Sequence, residues 1–135
     1  MIKIPQSIYN KIKAHARGEA PNEACGYLAG LDGEVREIIP MKNADASPER
    51  FSFNPEEQFA ALEEATAGGV DLFAVYHSHP ATPARMSEED IRLAYDTSIT
   101  YLIYSLLTDE IRAFKVNGEQ QVSDKSVKIT AEPET

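Results

Sequence analysis

The chain has 135 residues, of which 42% are hydrophobic and 26% charged, and its formal net charge at pH 7 is −9. This length suits one compact domain, and the residue types are balanced as in ordinary globular proteins. The acidic charge, with no Lys- or Arg-rich run, argues against nucleic-acid binding. The single cysteine, Cys25, excludes a disulfide within the chain. We expect no membrane association and a cytoplasmic location, because neither a signal peptide nor a membrane-spanning stretch is evident.

The first part of the chain predicts a helix followed by two strands. An apolar residue at every fourth position, from Ile4 to Ala16, is typical of an amphipathic helix, and Gly18 is expected to end it. Ala24–Ala29 and Glu34–Ile39 have the composition of strands. The segment between them, Gly30–Gly33, is predicted to be a turn.

The middle of the chain predicts a helix and a buried strand. Phe51–Phe53 is interpreted as a strand fragment. Asn54, followed by a proline and two glutamates, is a strong helix start, and the helix should end at Gly68–Gly69. The segment Val70–His79 alternates as a buried strand does.

The last part predicts a short helix and three strands. The helix starts with Ser87 and reaches about Asp96. Ile99–Leu107 and Glu110–Val116 are predicted to pair, and Asn-Gly then turns the chain into a final strand, Gln120–Thr130. The whole order favours an α/β domain, a mixed β-sheet flanked by helices, over residues 1–130, with a short C-terminal tail over residues 131–135.

Two of the three histidines lie two residues apart at the end of the apolar strand. Side chains at positions i and i+2 of a strand point the same way, so His77 and His79 project together. Two imidazoles on one face suit zinc, and Asp90 in the first turn of the next helix can fold back as a third ligand. The alternative is a pair of ordinary surface histidines beside a helix-start aspartate. His15 lies on the polar side of the first helix and is expected to face solvent.

Two further residues have two interpretations each. Ser87, with Asp90 three residues on, resembles a capping box, and capping alone would explain it. A metal-activated water needs a base, and Glu23 lies just before the first predicted strand. An acid in that position is usually solvated, so the sequence pattern by itself does not select Glu23 among the 22 acidic residues.

The combination of these residues resembles the JAMM (MPN-plus) metallopeptidase family. In that family a glutamate lies far upstream of His-[Ser/Thr]-His, which is followed by seven residues, Ser, two residues and Asp. Glu23, His77–His79, Ser87 and Asp90 meet every position of this pattern. The similarity covers about Ile2–Val116. It includes the surroundings of the motif: Glu23–Leu28, Asn43 and Phe51–Pro55.

The resemblance implies an MPN/JAMM fold, which is similar to that of cytidine deaminases, and a zinc-dependent peptidase or isopeptidase. His77, His79 and Asp90 would bind Zn²⁺. Glu23 would be the general base that takes a proton from water and returns it to the leaving amine. Ser87 would help to stabilise the oxyanion.

The family also suggests a substrate. The chain lacks the long insertions of eukaryotic deubiquitinating members, since only six residues separate Pro80 from Ser87. It resembles the minimal prokaryotic type, which acts at the C-terminal tail of ubiquitin-like or sulfur-carrier proteins ending in Gly-Gly. We expect such a carrier as partner, and a monomer or weak homodimer. The alternatives are a RadC-like protein and a non-catalytic MPN scaffold, which typically lacks metal ligands. A zinc deaminase would need a Cys pair and His-x-Glu, which are absent.

Overall fold

The computed structural model describes residues 1–131, and over these residues the chain forms eight strands and three helices. The predicted tail therefore lies outside the described residues, except for Ala131. The elements in chain order are β1 (Ile2–Pro5), α1 (Gln6–Glu19), β2 (Cys25–Leu31), β3 (Glu34–Met41), α2 (Pro55–Ala67), β4 (Asp71–His79), α3 (Glu88–Leu93), β5 (Thr100–Ser105), β6 (Glu110–Val116), β7 (Val122–Lys125) and β8 (Val127–Thr130). Among the described residues, no helix is both long and apolar enough to span a membrane.

All eight strands belong to one mixed sheet in the order β7-β6-β5-β4-β2-β3-β1-β8. β4 lies near the middle, antiparallel to β2 and parallel to β5. The first and last strands of this order, β7 and β8, are separated in sequence by Ser126 alone. Because one residue cannot cross a flat sheet of eight strands spaced about 4.8 Å apart, the sheet must curve until its two edges approach each other.

The two faces of the sheet carry different helices, as the prediction of a mixed sheet flanked by helices requires. On one face Ile8, Ile12 and Ala16 of α1 pack against a cluster that contains Tyr76 of β4. On the other face Ala61 of α2 belongs to a cluster that contains Val75, the residue that precedes Tyr76 in β4. Since side chains alternate along a strand, His77 and His79 point to the α2 face.

The start of α2 matches its sequence signal. The Asn54 side chain accepts a hydrogen bond from the Glu56 amide at 2.9 Å, and Pro55 occupies the first helical turn. The helix ends at Ala67 with Gly68 as its C-cap, as predicted. Two glutamates in the first turn face the positive end of the helix dipole, which stabilises this start further.

Two predictions near the N-terminus are wrong. Ile4 does not belong to the first helix, because Ile2–Pro5 forms a strand and pairs in parallel with β8. The alternation of buried Ile2 and Ile4 with exposed Lys3 is the period of a strand. His15 does not face solvent: its side chain is 17% exposed, and Nδ1 lies 2.7 Å from the Tyr76 hydroxyl.

Three other boundaries also differ from the prediction. Phe51–Phe53 forms no strand, and its rings instead cover the α2 face of the sheet. The helix α3 ends at Leu93 and does not reach Asp96, whose carboxylate accepts hydrogen bonds from the Ser98 amide and hydroxyl. Such local side-chain bonds compete with helix formation. The predicted last strand breaks at Ser126 into two strands on opposite edges of the sheet.

Candidate active site

Three side chains converge at the end of β4. His77, His79 and Asp90 are each less than 10% exposed, and each offers a ligand atom within 4.8 Å of the others. The two Nε2 atoms lie 3.2 Å apart. The Asp90 carboxylate lies against both rings, with Oδ1 3.2 Å from Nε2 of His77 and Oδ2 2.9 Å from Nε2 of His79. The predicted trio therefore forms one cluster, built from the strand end and the first turn of α3.

Neighbouring groups fix the orientation of this cluster. His79 Nδ1 lies 3.0 Å from the Pro83 carbonyl oxygen, to which it donates, so the lone pair of the neutral ring is on Nε2. His77 is held differently: its ring stacks on Phe51 with centroids 4.7 Å apart and an angle of 29°. His77 Nδ1 is buried and has no hydrogen-bond partner among the described residues.

The charge state of the cluster follows from burial and pairing. Burial opposes ionisation of Asp90, but His77, His79 and the Ser87 amide together hold the pKa of its carboxyl well below the usual range. Burial also disfavours charge on His79, yet its hydrogen bonds to Asp90 and Pro83 raise the pKa of the imidazole. The aspartate is thus an anion beside two imidazoles whose Nε2 atoms face inward.

This donor set fits a divalent transition metal. Ligand atoms about 2.0–2.1 Å from a tetrahedral ion lie about 3.3 Å from one another, and the contacts between the three side chains are 2.9–3.2 Å. Two imidazole nitrogens and a carboxylate oxygen are ligands of the kind that such ions prefer. The hydrogen bond of His79 to Pro83 supplies the outer support that metal-binding histidines usually have.

Glu23 lies beside this cluster because of the strand register. Cys25 of β2 is opposite His77 of β4, and the Ser78 amide donates to the Ala24 carbonyl at 3.0 Å. Glu23, two residues before Cys25, therefore points to the same face of the sheet as the histidines. Ser78 points to the other face, where its hydroxyl accepts a hydrogen bond from the Ala24 amide at 2.8 Å.

The surroundings of Glu23 are unusual for a carboxylate. The residue is 3% exposed, and Oε1 has no hydrogen-bond partner among the described residues. Burial, and after it the negative charge of Asp90, raise the pKa of its carboxyl to about 8. An acid that is buried, unpaired and shifted in this way is a candidate for proton transfer.

Ser87 is the N-cap of α3, as the capping-box interpretation predicts. Its hydroxyl oxygen accepts a hydrogen bond from the Asp90 amide at 3.0 Å, and the Ser87 amide donates to Oδ2 of Asp90 at 3.0 Å. The capping box therefore also orients the carboxylate that faces the histidines. The Ser87 hydroxyl hydrogen is not used by the cap, since the oxygen is the acceptor in that bond.

Asn43 has a structural role at the site that was not predicted from the sequence. Asn43 is buried, and its amide nitrogen donates to the carbonyl oxygens of Glu23 at 3.1 Å and Arg50 at 3.0 Å. Its side-chain oxygen accepts from the Asp45 amide at 3.0 Å. Asn43 thus ties the backbone of Glu23 to the loop that presents Phe51. A lone asparagine in a polar loop gives no pattern from which this could be predicted.

Comparisons with known proteins give the family. Residues 5–117 match the domain family described as prokaryotic homologs of the JAB domain. A CysO-cysteine peptidase of Mycobacterium tuberculosis is 36% identical over 124 residues, which span 86% of this chain and 83% of the relative. A probable TtuB-protein conjugate cleaving protease of Thermus thermophilus is 35% identical and spans 91% of this chain and 81% of the relative.

Solved structures agree with this assignment. The solution structure of a protein from Desulfitobacterium hafniense superposes with a TM-score of 0.90 at 40% identity, covering 98% of this chain and 94% of that one. A JAB1/MPN domain protein from Archaeoglobus fulgidus shares the fold, with a TM-score of 0.64 at 20% identity and coverage of 95% and 98%. The resemblance to JAMM proteins and the expected α/β fold are thereby confirmed, and the chain belongs to the prokaryotic JAB family of JAMM/MPN hydrolases.

Proposed function

We propose that the protein is a zinc-dependent peptidase or isopeptidase that cuts at the C-terminal tail of a ubiquitin-like or sulfur-carrier protein. The observation that carries the proposal is the buried cluster of His77, His79 and Asp90 with the unpaired carboxyl of Glu23 beside it. Two imidazoles and one carboxylate suit zinc, and three protein ligands are typical of catalytic rather than structural zinc sites. When bound, zinc would polarise the scissile carbonyl and lower the pKa of water to about 7.

The chain's own residues supply the proton transfers. Glu23 accepts a proton from the attacking water and delivers it to the leaving amine. Its burial favours this exchange, because the neutral carboxylic acid is tolerated there. Burial is the larger cause of the raised pKa of Glu23, and the negative charge of Asp90 is the smaller one. A cation held by His77, His79 and Asp90 would offset the charge of Asp90 and so favour the basic form of Glu23.

Ser87 has two tasks in this proposal. Its oxygen caps α3, and its hydroxyl hydrogen is available to the oxyanion that develops on the substrate carbonyl. Asp90 is held in the anionic form by the same capping box, which supports its role as a ligand. A single turn of backbone thereby places a ligand and a hydrogen-bond donor at the end of β4.

The names of the relatives support the substrate class. The mycobacterial and Thermus relatives are named for action on CysO-cysteine and on TtuB conjugates. We infer that this chain likewise acts on a small carrier with a Gly-Gly terminus. A non-catalytic scaffold is disfavoured, because such a role needs neither the three buried ligands nor the buried Glu23.

Metal analysis and a cleavage assay test the proposal together. We expect about one zinc per chain in the wild type and a loss of it in His77→Ala. The substrate is a ubiquitin-like sulfur carrier of the same organism, extended beyond its Gly-Gly, with products identified by mass spectrometry. Glu23→Gln should keep the zinc and lose cleavage by about two to four orders of magnitude. Equally low zinc in the wild type and His77→Ala, under zinc-replete conditions, would falsify the ligand assignment.

A further inference from the structure

A cleft of about 360 Å³ opens directly beside the candidate metal ligands. His77 and Asp90 form part of its wall, so whatever occupies it lies next to the reacting bond. The cleft is on the α2 face of the sheet, where Val75 and Ile99 contribute to its lining. Its volume lies near the lower end of the range for small-molecule pockets, about 300–1,000 Å³, which is enough for one large side chain.

Aromatic rings lead from the cleft to the candidate ligands. Tyr27 and Phe53 have ring centroids 4.9 Å apart, Phe53 and Phe51 are 5.4 Å apart, and Phe51 stacks on His77 at 4.7 Å. Tyr95 also lines the cleft, and it is 80% exposed. An exposed aromatic ring at the edge of an aromatic cleft supplies apolar contact area to an occupant.

Apart from the candidate ligands in its wall, the interior of the cleft offers no charge to an incoming side chain. Apart from His77 and Asp90, the charged lining residues are Arg50 and Asp96, and both are exposed. Two tyrosine hydroxyls in the lining already have partners. The Tyr101 hydroxyl donates to the Asp96 backbone carbonyl at 3.0 Å, and the Tyr27 hydroxyl accepts from Nε2 of the Gln58 side chain at 3.1 Å. An acidic side chain placed here would lose its hydration and lie near the Asp90 carboxylate, which carries the same charge.

We infer that this cleft receives the side chain of the residue released from the carrier's tail, and that it selects an apolar one. The inference rests on the proposed function, in which the carrier ends in Gly-Gly. Glycines bring no side chain to the site, so the side chain nearest to the scissile bond is that of the leaving residue. The chemistry of the lining selects among leaving residues, and the hydrolytic chemistry is the same for all of them.

A series of matched substrates tests the selection. The probes are one sulfur carrier, ending in Gly-Gly and extended by a single Phe, Leu, Ala or Glu. We expect kcat/KM to be about ten- to a hundredfold higher for Phe or Leu than for Ala, because burying a large apolar side chain contributes that much. The Glu extension should be cut more slowly still. Equal rates for all four carriers would show that the cleft selects nothing.

Variants at two exposed aromatic residues separate the cleft from the rest of the surface. Tyr95→Ala should raise KM for the Phe-extended carrier by about two- to tenfold and should raise KM for the Ala-extended carrier by a smaller factor. Phe59→Ala is the matched control, because Phe59 is 63% exposed and does not line the cleft. Both positions are exposed enough for the variants to fold. An equal effect of Tyr95→Ala on both carriers would overturn the inference.

Binding without turnover distinguishes failure of this inference from failure of the proposed function. Full-length protein, labelled with ¹⁵N and loaded with zinc, is titrated with the dipeptides Gly-Phe and Gly-Glu. We expect Gly-Phe to shift the amide signals of residues 51–53 and 95–101 selectively. If Gly-Phe binds there and no carrier is cut, the proposed hydrolysis is wrong and the cleft assignment stands. If carriers are cut and neither dipeptide shifts these signals, the cleft assignment is wrong and the hydrolysis stands.

Discussion

Replacing Glu23 by Gln should stabilise the metal-free protein at alkaline pH while it removes activity. In the folded chain, burial and the charge of Asp90 raise the pKa of Glu23 from about 4.5 to about 8. At any pH between about 4.5 and about 8, the folded state therefore binds more protons than the unfolded state. The stability that neutral Glu23 provides is fully present below pH 4.5 and is lost as the pH rises through about 8.

The magnitude follows from the same two values. One unit of pKa corresponds to about 1.4 kcal/mol, so ionising the buried carboxyl costs the folded state an upper limit of roughly 5 kcal/mol. Gln does not titrate. We expect the free energy of unfolding of Glu23→Gln, relative to wild type, to rise by several kcal/mol between pH 5 and pH 9. His79 and Cys25 sense the charge of Glu23, so the difference between the two proteins reports Glu23 together with its effect on these two neighbours, and the contributions of the remaining groups cancel.

Urea denaturation followed by circular dichroism, in the presence of a chelator, measures this difference. Glu63→Gln is the control, because Glu63 is an exposed acid on α2 and is not among the charges that act on Glu23. Its stability should follow that of wild type at every pH. If the difference in stability between Glu23→Gln and wild type does not change with pH, Glu23 ionises normally. It is then not a buried base with a raised pKa.

Substitutions at three further positions test the residues that support the site. In Gly26→Ala the added Cβ would lie 2.5 Å from both the Ile39 carbonyl oxygen and the Tyr76 ring, so thermal denaturation should show a loss of about 1–3 kcal/mol; an unchanged melting temperature would contradict this packing. Asn43→Ala removes the hydrogen bonds to the carbonyl oxygens of Glu23 and Arg50. It should lower the free energy of unfolding in urea by about 2–4 kcal/mol and speed hydrogen exchange over residues 44–52. Unchanged exchange would show that Asn43 does not organise this loop. Ser87→Ala should cost about 1 kcal/mol and lower kcat about a hundredfold in fully folded protein. Ser87→Asn should restore the cap without restoring turnover, and full activity in that variant would reduce Ser87 to a cap.

The sequence is informative where local physical chemistry decides the structure. The start of α2 could be predicted because Asn54 and Pro55 act within their own turn. The capping box of α3 is equally local, and it predicts that Asp90 lies in the first turn of that helix. The convergence of His77 and His79 follows from strand alternation alone. These elements needed no knowledge of distant partners.

Tertiary context decided the rest. Glu23 is one of 22 acidic residues, and only the pairing of β2 with β4 places it on the face of the histidines. The break at Ser126 depends on the curvature of the whole sheet, because each half of that segment pairs with a strand from another part of the chain. The rings of Phe51–Phe53 remain outside the sheet because they pack against Tyr27 and His77.

His77 connects the two parts of the site. Its Nε2 faces Asp90 and His79, whereas the face of its ring lies against Phe51 at the wall of the aromatic cleft. No hydrogen bond among the described residues fixes its Nδ1, so the contact of Nε2 with Asp90 and the packing against Phe51 together restrain the ring. Contacts that a substrate makes in the cleft therefore bear directly on the orientation of a candidate ligand. In the proposed function, selection of the leaving residue and positioning of the metal would therefore be coupled through the His77 ring.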